Sequence, residues 1–202
     1  MWPHYRRPGN PEEPTLVLLH GYGADEHDLV PIADELSRDY EVISLAAPGT
    51  TPYGGRAWFS IDFTAEESRR YDLAEAVGAA RGVSAALGEM LEGKRWLLAG
   101  FSQGAMISAA VARGEVPGLL GVALMSGAYL PGVVEGPVST VPFLVQHGVM
   151  DPVVSFDRGR ELADQLVQDG ADVDFRSYRM AHQISGESIR DLDAFFLRCA
   201  GT

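Results

Sequence analysis

Four short, almost wholly apolar runs constrain this chain more than anything else in it: Thr15–His20 (TLVLLH), Arg95–Phe101 (RWLLAGF), Leu119–Met125 (LLGVALM) and Pro142–Gln146 (PFLVQ). A strand with one wet face alternates polar and apolar residues, whereas a strand buried on both faces does not. Runs of this kind therefore belong inside a sheet covered on both sides. Glu41–Ala46 and Asp172–Tyr178 read as two further strands. Helical patterns separate them over Asp28–Asp39, Glu66–Leu91, Gln103–Arg113, Ser155–Gln168 and Ser185–Leu197. Asp28 is placed to cap the first of these helices. Regular alternation of strand and helix predicts an α/β fold with an open, mostly parallel central sheet and helices on both faces. The 202 residues suffice for one such domain. Residues 1–14, with four prolines, read as an irregular lead-in, and Ala47–Thr64 as a long surface loop.

One of the runs ends in Gly100-Phe101-Ser102-Gln103-Gly104, a G-x-S-x-G pattern between an expected strand and an expected helix. In that setting the pattern makes a sharp turn that pushes the serine hydroxyl out of the backbone, where it can act as a nucleophile. A hydroxyl needs a base, and the base needs a carboxylate to orient it. Reactive groups gather in loops at the carboxyl ends of parallel strands. His182, just beyond Asp172–Tyr178, meets that condition as the base, and Asp151, just beyond Pro142–Gln146, meets it as the carboxylate. His147 lies before Asp151 in the chain. Asp157, Asp164, Asp169, Asp172 and Asp174 are rival carboxylates in less favourable places. An oxyanion formed during acyl transfer requires two N–H donors. The amide of Gln103 is one candidate, and the amide of Tyr22, in the turn His20-Gly21-Tyr22-Gly23, is the other.

Together HGYG, GFSQGA, HGVMDPVV and MAHQISGE, in this order and spacing, resemble the phospholipase/carboxylesterase family of α/β-hydrolases, over Thr15 to Leu197. The resemblance implies Ser102, Asp151 and His182 as a catalytic triad, Tyr22 and Gln103 as oxyanion donors, and no cofactor or metal. It also implies that Arg56-Ala57-Trp58-Phe59 is the family's Trp-Phe loop, which lines the acyl pocket. Val149, Ser155 and Ala181 depart from the family pattern beside the site. The expected activity is a serine carboxylesterase acting on short- to medium-chain esters through an acyl-enzyme. A thioesterase or lysophospholipase is the alternative on the same scaffold, and a hydrolase-fold binding protein without turnover a remote one.

Two loops stand ready to wall the site, Pro48–Phe63 with Tyr53, Trp58 and Phe59, and Gly127–Val141 with Leu130. Trp58 and Phe59 fit equally well as core plugs under a long loop. Leu130, Val133 and Val134 read alternatively as a dimer contact, so a monomer or a homodimer is expected. No insertion is long enough for a separate cap domain. Sixteen basic against 28 acidic residues give a net charge of −12, which argues against nucleic acid and anionic bilayers as partners. No apolar run reaches the roughly 18 residues of a membrane span. A single cysteine, Cys199, is compatible with a reducing, cytoplasmic setting. The expected partner is a small-molecule ester.

Overall fold

The computed structural model describes residues 2–66, 70–133 and 137–201. Its elements follow in the order β1 (His4–Arg7), β2 (Thr15–Leu19), α1 (Val30–Asp34), β3 (Val42–Leu45), β4 (Gly49–Thr50), β5 (Arg56–Ala57), α2 (Leu73–Met90), β6 (Trp96–Phe101), α3 (Gln103–Val111), β7 (Leu119–Met125), β8 (Phe143–Gly148), α4 (Phe156–Gln168), β9 (Val173–Tyr178) and α5 (Gly186–Ala200). Seven strands form one sheet in the order β1-β3-β2-β6-β7-β8-β9. All neighbours in it are parallel except β1, which pairs antiparallel with β3.

Side chains alternate across each strand, so each run serves two cores. Val17, Leu19, Leu98, Val122 and Val145 face α2, α3 and α4. Their neighbours Leu16, Leu18, Leu97, Ala123 and Leu144 face the other way, against Leu29 and Ala33 at α1 and Ile189, Leu192, Phe195 and Phe196 of α5. Burial on both sides is why these runs carry no polar alternation. The fold is that of the α/β-hydrolases.

Several expected boundaries move. The lead-in is not irregular throughout: His4–Arg7 forms the edge strand β1, paired with Val42–Leu45. Its polar sequence HYRR gives no strand signal because one face is solvated and β3 is its one partner strand. The expected helix Asp28–Asp39 shrinks to the five residues of α1, whose N-cap position is Leu29 and not Asp28. Helix α2 starts at Leu73, where the Asp72 carboxylate accepts from the Glu75 amide at 3.0 Å. It does not start at Glu66, and residues 67–69 of the expected span lie outside the described residues. The surface loop 47–64 contains the small β4–β5 hairpin. Leu130 and Val133 are buried, which removes them from any exposed subunit contact, and Val134 lies outside the described residues.

Strands β2 and β6 are neighbours, yet the chain leaves them toward opposite sides of the sheet: β3 lies beyond β2, and β7 beyond β6. This is the switch point where open α/β sheets leave a crevice at the strands' carboxyl ends. The turns HGYG and GFSQG both emerge there. Among the described residues no helix is long and apolar enough to cross a membrane.

Candidate active site

Ser102 joins β6 to α3 with φ 54° and ψ −117°, a conformation rarely adopted by a residue with a side chain. Two glycines permit it. A Cβ on Gly100 would lie 2.4 Å from the Gly104 carbonyl oxygen, and one on Gly104 would lie 2.0 Å from that of Leu19. Helix α3 therefore begins pressed against the end of β2. Its first amide, that of Gln103, has no acceptor among the described residues, and neither has the amide of Tyr22 across the crevice.

Loops beyond β8 and β9 bring in two more groups. His182 accepts from the Ser102 hydroxyl at Nε2 (2.9 Å) and donates from Nδ1 to Asp151 Oδ2 (2.7 Å). The carboxylate fixes the tautomer: with the proton held on Nδ1, Nε2 is free to accept. Asp151 is itself held, because its Oδ1 accepts the amides of Val153 and Val154, each at 2.9 Å. Its side chain is fully buried, while that of His182 is 16% exposed, open toward the cleft. The imidazole also lies against Phe101, with ring centroids 4.9 Å apart.

Of the rival groups, His147 comes nearest. It is buried behind Asp151, with Nε2 3.5 Å from Oδ2 and donating to the Val154 carbonyl at 2.8 Å. Burial lowers its pKa, so the ring stays neutral. A Cβ on Gly159 would sit 2.0 Å from its Nδ1, which leaves no space on that side. Asp169 pairs with Arg113, and Asp174 with Arg176, both away from the crevice.

The pocket residues require correction. A cleft of about 390 Å³ opens beside Ser102, within the range of small-molecule sites. It is lined by Tyr22, by Ile61, Phe63, Arg70 and Tyr71, by Ser102, Gln103 and Met106, and by Pro152, Val153, Val154 and His182. Trp58, Phe59, Tyr53 and Leu130 do not line it. Tyr53 projects into solvent, 95% exposed, at the β4–β5 turn. Leu130 is packed into the core.

Trp58 and Phe59 are buried as braces for the His20–Gly23 turn and the start of α3. The Gln103 side chain accepts from the Trp58 amide and donates to the Phe59 carbonyl, both at 2.7 Å. Trp58 Nε1 donates to the His20 carbonyl at 2.8 Å. His20 Nε2 accepts from the Ala47 amide at 3.1 Å, while Nδ1 donates to the Gly21 carbonyl at 2.7 Å. Burial lowers the His20 pKa and keeps this tautomer uncharged. Next door, Gly23 and Arg56 form a short ladder in which the Gly23 amide donates to Arg56 and the Arg56 amide to Ala24. Sequence reasoning missed this role for Arg56, Trp58 and the Gln103 side chain, since the bonds these three make join distant parts of the chain. It also missed Ile61, Arg70, Tyr71 and Met106 in the cleft. A wall built by tertiary folding leaves no local signal.

Comparison with known proteins places these features in a lineage. The family model for Phospholipase/Carboxylesterase matches residues 4–200. Acyl-protein thioesterase 1 of Mycosarcoma maydis is 33% identical over 141 residues, 64% of this chain and 57% of that protein, so the chain spans little more than half the relative's length. The Bacillus cereus carboxylesterase superposes with a TM-score of 0.84 at 21% identity, over 98% of this chain and 95% of that one. The Zea mays acyl-protein thioesterase 2 gives 0.79 at 23%, with full coverage of both chains. Since the match extends over nearly the whole sequence, the chain belongs to the phospholipase/carboxylesterase family of serine hydrolases.

Proposed function

We propose that this protein is a serine carboxylesterase that hydrolyses short- to medium-chain carboxylic esters through an acyl-enzyme, with Ser102, His182 and Asp151 as its triad. One observation carries the proposal: a hydroxyl on a strained strand–helix turn is hydrogen-bonded to an imidazole that is itself hydrogen-bonded to a buried carboxylate. In the first step Ser102 Oγ attacks the ester carbonyl carbon as His182 Nε2 takes its proton. Negative charge moves onto the carbonyl oxygen, where the unpaired amides of Tyr22 and Gln103 stabilise it. His182 then returns the proton to the leaving alcohol, and the acyl group stays on Ser102. Water repeats the sequence, releasing the acid and restoring the serine. Asp151 stays ionised throughout and balances the imidazolium.

The test is a rapid-mix assay with p-nitrophenyl butyrate. Wild type should release a burst of about one p-nitrophenol per site, and the trapped enzyme should gain a butyryl mass on the Ser102 peptide. Ser102→Ala should show neither. An unchanged burst in that variant would overturn the assignment. Similarity to an acyl-protein thioesterase supports a second reading, hydrolysis of thioesters by the same groups. Matched oxygen and sulfur esters of one acyl chain, compared by kcat/KM, separate the two.

A further inference from the structure

Arg70 is the one charged side chain in the described lining of the cleft apart from the titratable His182, and among the described residues it has no acidic partner. Its Nε is buried without a hydrogen-bond partner among the described residues. Several other arginines pair with carboxylates: Arg6 with Glu41, Arg38 with Glu13, Arg113 with Asp169, and Arg176 with Asp174 and Asp191. Arg113 Nε is likewise buried without a hydrogen bond among the described residues, but the charge of Arg113 is met by Asp169. A chain of net charge −12 offers carboxylates in plenty, yet none lines this cleft. A guanidinium carries five donors in a planar fork suited to a carboxylate, and leaving the buried Nε donor unpaired is costly. Its backbone is held in place as well. The Arg70 carbonyl accepts the Asp62 amide at 2.8 Å, the Asp72 amide donates to Ser60 at 3.1 Å, and Ile61 and Tyr71 form a β-bridge. The cation thus rides on a braced segment in the lining of the cleft that also holds Ser102.

The lining of the cleft divides by duty under the triad reading, since Val153 and Val154 share Asp151 with His182. The leaving alcohol must meet His182, which protonates it, so it lies on the side of Pro152–Val154. That leaves the rest of the lining, which includes Met106, Ile61 and Arg70, for the acyl chain. We infer that the cleft is built for esters whose acyl group ends in a carboxylate, the half-esters of dicarboxylic acids, with Arg70 binding the distal carboxylate. This rests on Ser102 being the nucleophile and adds the substrate class. Arg70 is a specificity-determining residue that touches the substrate away from the reacting atoms.

The experiment compares monoethyl glutarate with ethyl pentanoate, and monoethyl adipate with ethyl hexanoate, by ethanol release at low salt. Wild type should favour each half-ester over its neutral partner in kcat/KM. Arg70→Met should lower the half-ester to neutral ratio about 10- to 100-fold, the range expected for loss of a charge-assisted hydrogen-bonded pair. Arg70→Lys should recover part of it, and added salt should erode the wild-type preference. Circular dichroism and melting of both variants establish that they fold, and the Lys variant reads the charge even where Met perturbs the wall. A ratio that stays the same in Arg70→Met, or a wild-type preference for the neutral esters, would overturn the inference alone, provided Ser102→Ala abolishes turnover of both. Turnover surviving in Ser102→Ala, or none by wild type on any ester, would overturn the triad reading beneath it. An ester carrying its carboxylate on the alcohol, 3-(pentanoyloxy)propanoate, is the remaining arm. If Arg70 governed that substrate and not the half-esters, the acyl-side assignment would be wrong.

Discussion

A methyl group on Gly104 would lie 2.0 Å from the Leu19 carbonyl oxygen and 2.6 Å from that of His20, both main-chain atoms of β2 and its turn. Relief would require α3 to back away from the sheet, carrying the Gln103 amide with it. Gly104→Ala should therefore cost at least about 3 kcal/mol, the upper part of the usual overpacking range, read by denaturant unfolding. The glycine was legible from the sequence because its motif has a steric reason. Asp151 allows a cleaner separation of structure from chemistry. Its Oδ1 holds the 151–154 turn through two amides, while Oδ2 faces His182. An asparagine keeps the first acceptor but presents an NH₂ to the imidazole, which then favours the wrong tautomer. Asp151→Asn should lower kcat by about 10⁴-fold with little change in the unfolding midpoint. A large loss of stability with modest loss of rate would show Asp151 to be a turn residue and no more.

Among elements, the segment carrying β4 and β5 is where sequence and structure part. Trp58 and Phe59 are large and apolar, and side chains of that kind fill pockets and cores alike. Only the distant partners Gln103 and His20 decide between the two. Kinetics can distinguish them as well. If Trp58 lined an acyl pocket, its replacement would alter KM in a way that depends on acyl length. As a brace for the turn that carries the proposed oxyanion donor Tyr22, it should act on the transition state of every ester alike. Trp58→Phe, which keeps the ring and loses the bond to the His20 carbonyl, should lower kcat by a similar factor across C2 to C8 p-nitrophenyl esters and leave the KM ranking intact. The factor should be about 3- to 10-fold, the worth of one hydrogen bond near 1 kcal/mol. Strands β2, β6, β7 and β8 were readable for the opposite reason: burial on both faces writes a continuous apolar run. Edge strand β1, solvated on one side and four residues long, writes almost nothing.

Taken whole, the molecule holds buried or bridging ionisable groups whose partners span the sheet, and these set its response to acid. His20 sits at the head of the His20–Gly23 turn and His147 behind Asp151, and burial lowers the pKa of each from the ordinary 6.5. As pH falls below 6.5 the unfolded chain takes up protons on these rings that the folded chain declines, so stability drops in that window and is fully present above it. Glu41 acts in a second, lower window. Burial alone would raise its pKa, but hydrogen bonds from Lys94, Arg6 and Thr15 bring it down to about 2. Those partners lie on or beside β6, β1 and β2, so this carboxylate ties the edge strand to the centre of the sheet. Its contribution is present above the ordinary 4.5 and is lost as pH falls from there toward 2. Urea unfolding from pH 8 to pH 3 should therefore show two declines, one beginning near 6.5 and one near 4.5. His147→Gln should make the first shallower without touching the second. Glu41→Gln should make the second shallower, so that it is less stable than wild type at pH 7 and approaches it by pH 3, with the remaining decline belonging to carboxylates such as Asp62 and Asp169 whose pKa values are also lowered. One decline, unaffected by either substitution, would mean that acid acts through the surface carboxylates at large and not through these three groups.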